Sequence, residues 1–373
     1  MSSLKYRIKC SVCSHTSSSL LNFRCTICGR PLIIQLDFPF ESKKIRKDNY
    51  TLWRFSEFFP YMDKSQIVSL GEGWTPLVKF SNNVYLKLEN LNPTGSFKDR
   101  GSTVLISSLK EFLTKTDDYI SEDSSGNAGA SIAAYAARAG LKARIYVPKK
   151  VAGPKFDQIL SYGAKVVKIS GDRSQVSKEA QKMRRGKFYI GHILHPLFRD
   201  GLRSIAYEIA EQHDWYVPDR IYLPVSAGTL LLGVIDGFRH MFKSNIIEGM
   251  PVIVACQTRE VSPLYHSLKK LSYKAPREIS SIADALVSTN PPLLNLMLNS
   301  LEEIEGDAVM VEENEISMAF DELARKGFFV EPSSAVAYAA YKKQLDNGVT
   351  SKNDQSVIIL TGTGLKATYR STK

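Results

Sequence analysis

Lys98 has the surroundings that point most directly to chemistry. It lies in Asn92-Pro93-Thr94-Gly95-Ser96-Phe97-Lys98-Asp99-Arg100-Gly101, just after the strand-like run Val84-Tyr85-Leu86-Lys87-Leu88-Glu89. Pro93 and Gly95 punctuate a turn. Ser96 then stands where a helix N-cap belongs, with Asp99 as an imperfect capping box. This predicts a helix with Lys98 in its first turn. The positive end of the helix dipole and partial burial both lower a lysine's pKa there, which suits Schiff-base chemistry. The bland alternative is a surface lysine opening a helix.

A second set is made of sulfur. Four of the five cysteines form Cys10-x-x-Cys13 and Cys25-x-x-Cys28, the latter followed by Gly29. Each pair places two thiolates on a tight turn, and two such knuckles facing each other make a tetrahedral site for structural zinc. Iron fits the same donors, and disulfides are the rival in an oxidising compartment. The segment reads as a zinc ribbon, which on its own could equally contact nucleic acid or protein. The fifth cysteine, Cys256, sits in an apolar run and is expected to pack.

Three further stretches place candidate ligands where a strand turns into a helix or ends. Tyr119-Ile120-Ser121-Glu122-Asp123 leads into Ser124-Ser125-Gly126-Asn127-Ala128-Gly129 and an alanine-rich helix to Ala139. A strand, a Ser/Gly turn and a helix N-terminus present backbone N–H groups to an anion. Arg220 to Val225 runs into Ser226-Ala227-Gly228-Thr229 and a helix from Leu230, the arrangement a phosphate needs. Val357-Ile358-Ile359-Leu360 reads as a buried strand with Thr361 at its C-terminal end, where α/β sheets place ligands. Strands at Leu141–Pro148 and Ala164–Ile169, separated by a helix from Pro154 to Ser161, continue the alternation of a parallel sheet.

The elements that must position these residues need room, and 373 residues suffice for two domains and a small appendage. Hydrophobic content of 43% and charged content of 23% are those of a globular protein. No apolar run approaches a membrane span and no signal peptide is evident, so the expected location is cytoplasmic. The net charge of +11 is spread along the chain. That pattern fits solubility or small anionic substrates better than a nucleic-acid partner.

The run from Leu88 to Gly101 closely resembles the lysine loop of fold-type-II pyridoxal-phosphate enzymes, the group that includes threonine synthases, threonine dehydratases and cysteine synthases. The resemblance extends from about Leu52 to Lys366. Trp53-Arg54 and Leu70-Gly71-Glu72-Gly73-Trp74-Thr75-Pro76-Leu77 are similar to the opening segment of the threonine synthase branch, some members of which carry a zinc ribbon. The resemblance implies an α/β fold like that of the tryptophan synthase β chain: a ribbon at 1–35, a large cofactor-binding domain at 36–97 and 192–373, and a small mobile domain at 98–191. It implies Lys98 as catalytic residue and cofactor anchor. Phe97, Asn127, Val225, Ser226, Ala227, Gly228, Thr229 and Thr361 are the remaining cofactor contacts. Ser96, Ser124, Ser125, Gly126, Ala128 and Arg199 are implied at the substrate, with Glu331 and Ser333 near the pocket.

His195-Pro196-Leu197-Phe198-Arg199-Asp200-Gly201-Leu202-Arg203-Ser204 departs from the branch pattern. Aligned on Gly201, Phe198 takes the place of a phosphate-binding arginine and Arg199 falls one residue late. Arg203 and Ser204 replace a Lys-Thr pair, and Arg203 and Lys155 are further expected holders of phosphate. The implied reaction converts O-phosphohomoserine and water to threonine and phosphate, in a homodimer. The alternatives are a cysteate-synthase-like enzyme acting on O-phosphoserine, a threonine dehydratase, and a non-catalytic ribbon-bearing binding protein.

Overall fold

The structure, a computed structural model, describes residues 5–113, 115–171 and 173–367. At its start β1 (Tyr6–Cys10), β2 (Thr16–Ser17) and β3 (Leu32–Leu36) form an antiparallel sheet with β1 in the middle. A 3-10 run, Leu52–Phe58, precedes β4 (Leu77–Ser81) and β5 (Val84–Lys87). Helices and strands then alternate: α1 (Lys98–Leu109), β6 (Tyr119–Glu122), α2 (Asn127–Arg138), β7 (Ala143–Pro148) and α3 (Pro154–Ser161). They continue as β8 (Lys165–Ile169), α4 (Arg173–Gln181), β9 (Lys187–Tyr189), α5 (Pro196–Gly201) and α6 (Arg203–Gln212). A second series follows with β10 (Arg220–Pro224), α7 (Thr229–Lys243), β11 (Val252–Thr258), α8 (Pro263–Leu268) and α9 (Leu294–Glu303). It closes with β12 (Asp307–Val311), α10 (Glu313–Arg325), α11 (Pro332–Asp346) and β13 (Ser356–Ile359). Among the described residues no helix is long and apolar enough to cross a membrane.

The chain divides into two compact units, Met1–Trp74 with Asn92–Ser204, and Thr75–Leu91 with Ile205–Lys373. This grouping puts 36–74 and 192–204 with the lysine segment. The physical reason lies in Glu72 and in α5. Glu72 is fully buried and accepts from Trp53 Nε1 (2.9 Å), Thr103 Oγ1 (2.7 Å), Leu70 N (2.8 Å) and Tyr135 OH (2.7 Å), tying the opening segment to α1 and α2. α5 packs on α1 so closely that a Cβ on Gly101 would meet the Phe198 ring at 2.6 Å. The polar segment from Ser42 to Tyr50 is drawn in by Arg54, which donates to Lys47 O (2.8 Å) and Asn49 O (3.1 Å).

In the first unit the parallel sheet has the order β8-β7-β6-β9. Ile120, Ile145, Ile132, Leu105 and Ile106 are buried around it. In the second unit the order is β12-β11-β10-β13-β5-β4, parallel except for β4, which closes one edge antiparallel and with an irregular register between Lys79 and Ser81. Tyr222, Val254 and Ile358 from the strands, and Leu360 just after β13, pack with Phe320 of α10 and Val336 of α11. Lys87 of β5 is fully buried, and its ammonium donates to Glu208 (2.8 Å), Gln212 (2.8 Å) and Thr75 O (2.7 Å). Breaking such a pair leaves an uncompensated buried charge, at a cost of roughly 3–5 kcal/mol.

Candidate active site

In the first unit Lys98 is the first residue of α1 and is half-buried. Its Nζ lies 4.2 Å from the centroid of the Phe97 ring and 6.0 Å from that of Phe198. The expected cap at Ser96 is one residue early: Phe97 takes the N-cap place with helical backbone and no side-chain cap. Asp99 does not complete a capping box. Its carboxylate instead accepts from Thr94 N (2.7 Å), Thr94 Oγ1 (2.6 Å) and Ser131 Oγ (2.6 Å). It thereby holds the lysine turn against α2. The Ser96 hydroxyl is fully buried and has no hydrogen-bond partner among the described residues.

The turn after β6 has the expected form. Ser124 is buried and its Oγ accepts from Gly126 N at 3.2 Å, while Ser125 and Gly126 are half-buried. Asn127 is the first residue of α2, and Asn127 and Ala128 are both buried. N–H groups at the start of this 12-residue helix are a ready anion site.

Arg199 has a different employment from the one expected. Buried in α5, its guanidinium donates to Ile193 O (3.1 Å), Leu194 O (3.3 Å) and Leu32 O, the last in β3. Arg203 behaves likewise, donating to Ile34 O at 2.7 Å and pairing with Asp200, which also accepts from Tyr61 OH at 2.8 Å. Both arginines fasten the ribbon to α5 and α6. Lys155 is half-buried in the first turn of α3.

In the second unit Val225 is buried at the end of β10, and Ser226 and Ala227 are half-buried. Ser226 Oγ accepts from Ser288 N at 3.3 Å. Gly228 caps α7 in the left-handed region (φ +95°), and a Cβ there would come within 2.2 Å of Met297 Sδ. Glycine satisfies both constraints. Thr229 follows as the buried first residue of a 15-residue helix. Thr361 is buried beyond β13, with its Oγ1 2.9 Å from Ser334 Oγ. Ser333 turns instead toward Ala285 N, which donates to it at 3.0 Å. Ser334 was not legible as a partner of Thr361. Its only sequence signal was its place in the first turn of the helix after Glu331.

The four ribbon cysteines converge. Their sulfurs all lie within 4.8 Å of one another, with Cys10–Cys28 at 3.4 Å and Cys13–Cys25 at 3.6 Å. A tetrahedral zinc–thiolate site has sulfurs about 3.8 Å apart. Burial pushes the Cys10 thiol up, but the N–H groups of Cys13 and Val12 and the Cys28 thiol outweigh it and bring it down to about 7. The cluster is compatible with a metal ion.

The sequence of the pyridoxal-phosphate dependent enzyme family matches residues 68–362. The threonine synthase of Methanocaldococcus jannaschii is 35% identical over 360 residues, 91% of this chain and 87% of its own. That of Methanosarcina acetivorans is 31% identical, over 97% of this chain and 92% of its own. Among solved structures, threonine deaminase isoform 2 from Solanum lycopersicum superposes with a TM-score of 0.68 at 20% identity, over 87% of this chain and 86% of that one, a likeness of fold. A lysine turn, an anion turn and a strand-end threonine, all inside a family match of this length, lead to one conclusion: the chain belongs to the pyridoxal-phosphate dependent enzymes.

Proposed function

We propose that this protein is a threonine synthase, converting O-phospho-L-homoserine and water to L-threonine and phosphate. The likeness to archaeal threonine synthases along nearly the whole chain carries this reading. Pyridoxal phosphate suits the donors present. Lys98 offers a half-buried amine, Ser96 a buried hydroxyl with no partner among the described residues, and Gly228 a left-handed approach to a long helix N-terminus. When bound, the cofactor supplies an electron sink for negative charge developing on substrate carbon.

In this reading Lys98 anchors the cofactor and serves as the base that takes a proton from substrate Cα and then from Cβ. Asp99 keeps the lysine turn in place through Thr94 and Ser131. The N–H groups from Ser124 to Ala128 bind the substrate carboxylate. Asn127 and Thr361 orient the ring by hydrogen bonds, and Val225 to Thr229 receive the cofactor phosphate. Phosphate then leaves substrate Cγ, one proton is delivered to Cγ to form the methyl group, water adds its hydroxyl at Cβ, and a proton returned to Cα completes threonine. In the ribbon, Cys10, Cys13, Cys25 and Cys28 hold zinc in a structural role, since all four positions are filled by protein.

One observation favours a second reading. Arg199 and Arg203 each donate to a carbonyl of β3, and Arg199 also to Ile193 O and Leu194 O, so the segment that would carry a phosphate-binding arginine takes part in packing. An enzyme of this family acting on O-phosphoserine is the alternative. The test is phosphate release and threonine formation from O-phosphohomoserine by purified protein, beside its visible absorbance spectrum. The expected result is a cofactor band and both products in wild type, with activity reduced at least ~1,000-fold in Lys98→Ala. A cofactor band without phosphate release would overturn the substrate, and release from O-phosphoserine would install the second reading.

A further inference from the structure

A buried acid–imidazole pair lies at the end of β6, two residues before the anion turn, and has no part in the mechanism above. Glu122 is fully buried, and both its oxygens face one residue: His192 Nδ1 lies 2.6 Å from Oε1, and His192 N donates to Oε2 at 2.9 Å. His192 is buried too, and its ring meets Phe198 edge-on with centroids 5.7 Å apart. Lys98 Nζ approaches the same Phe198 ring, at 6.0 Å from its centroid. One aromatic ring therefore has the imidazole and the lysine amine as neighbours.

The charges around the pair come from several elements. Asp123 follows on β6 and accepts from Tyr189 OH of β9 at 2.8 Å. Lys98 of α1 and Arg173 of α4 act on the pair through space. Burial pushes the Glu122 carboxyl up to about 8, against His192 N–H and the charges of Lys98 and Arg173. Burial first and the Lys98 charge second push His192 well below its ordinary value. Burial and the Glu122 charge also raise Asp123. A proton lies between Oε1 and Nδ1 at this distance, and with the Glu122 carboxyl raised to about 8 the pair as a whole is neutral at neutral pH.

We propose that Glu122 and His192 are a positioning pair that shares one proton and thereby sets how readily Lys98 gives up its own. While the pair is neutral, no carboxylate of Glu122 stabilises the Lys98 ammonium, and the amine is released as a base. When the pair loses its proton, the new anion holds Lys98 charged. The proposal rests on Lys98 being the reactive amine.

Two readouts test it in the full-length protein, first loaded with pyridoxal phosphate and then stripped of it. The loaded protein gives the pH midpoint of the visible band, and the stripped protein gives the pH midpoint of Lys98 acylation by mass spectrometry. Above about pH 8, where the wild-type pair has lost its proton, charges a few side chains apart at an effective dielectric near 20 predict that Glu122→Gln lowers a midpoint by about one pH unit, a tenfold gain in neutral amine at a given pH, while a midpoint below about pH 8 stays where it is. An infrared carboxylic-acid band is expected in wild type at neutral pH and lost in that variant. His192→Asn, which removes the proton acceptor and leaves the carboxyl neutral, should shift the midpoints in the same direction. It decides the matter with the wild-type infrared band should Glu122→Gln fail to fold. A midpoint above about pH 8 left unshifted in a folded variant, or no such band in wild type, would overturn the proposal. Shifted midpoints without threonine formation would sink the proposed reaction alone, and threonine formation with unshifted midpoints would sink the pair alone.

Discussion

His195 shows what burial does to a single titratable side chain. It is fully buried just before α5, and burial first and the Arg199 charge second push it down to about 3. Between about pH 6.5 and 3 the unfolded imidazole is protonated and the folded one is not. The unfolded state then binds more protons, so stability is full above about pH 6.5 and drains as pH falls. The expected loss from this residue is about 2 kcal/mol between about pH 7 and 5. Urea unfolding of wild type and His195→Asn at both pH values checks it: the variant should lose less stability on acidification by that amount. At this scale the sequence was most legible where chemistry is local. Lys98, Asn127, Thr361 and the four ribbon cysteines stand in short motifs whose residue types announce them. Glu72, Ser334 and the Glu122–His192 pair were not legible, because each acquires meaning from a partner far along the chain. Two adjacent carboxylates ending an apolar strand were the one local hint at Glu122.

Among the elements, the contact between α1 and α5 sets the tightest tolerance. A Cβ on Gly101 would sit 2.6 Å from the Phe198 ring, and one on Gly201 would sit 2.3 Å from Arg100 O. Gly101→Ala should destabilise the protein by roughly 1–3 kcal/mol through overpacking. Phe198→Leu opens space at the same spot, so the double variant should recover part of that loss, giving a coupling energy on the order of 1 kcal/mol in a double-mutant cycle. Additive single losses would show that α1 and α5 adjust independently. The same contact gives the segment around Phe198, which departs from the branch pattern, a packing role. Its aromatic ring is a spacer between two helices, and Arg199 and Arg203 are turned to the ribbon strand β3. Helix and strand placement was otherwise legible: α3 spans the expected Pro154–Ser161, and β7 and β8 lie within the expected runs. Period and turn residues report such elements directly, whereas the employment of an arginine depends on what packs beside it.

At the level of the whole molecule, the ribbon and the lysine helix are linked by covalent and packed structure inside one unit. β3 accepts from Arg199 and Arg203, which belong to α5 and α6, and α5 rests on α1. Stripping metal with a chelator, or Cys10→Ser, should therefore lower the melting temperature by about 5–10 °C, with the cofactor band following the same transition. Unchanged melting after verified metal loss would confine the ribbon to a role away from α1.

The second sheet carries a consequence for how the protein is made. Its strand β13, residues Ser356–Ile359, lies between β10 and β5, pairing with both. On the ribosome the first unit's strands are all available once β9 has emerged, whereas the other sheet lacks a middle strand for roughly 170 residues more, about 10–30 s of elongation. Until then β5 with β4 and the block β10-β11-β12 expose unpaired edges toward the same vacant place. A message cut short between β12 and β13 would release a chain with one sheet complete and the other split, a product with the open edges that chaperones and proteases act on.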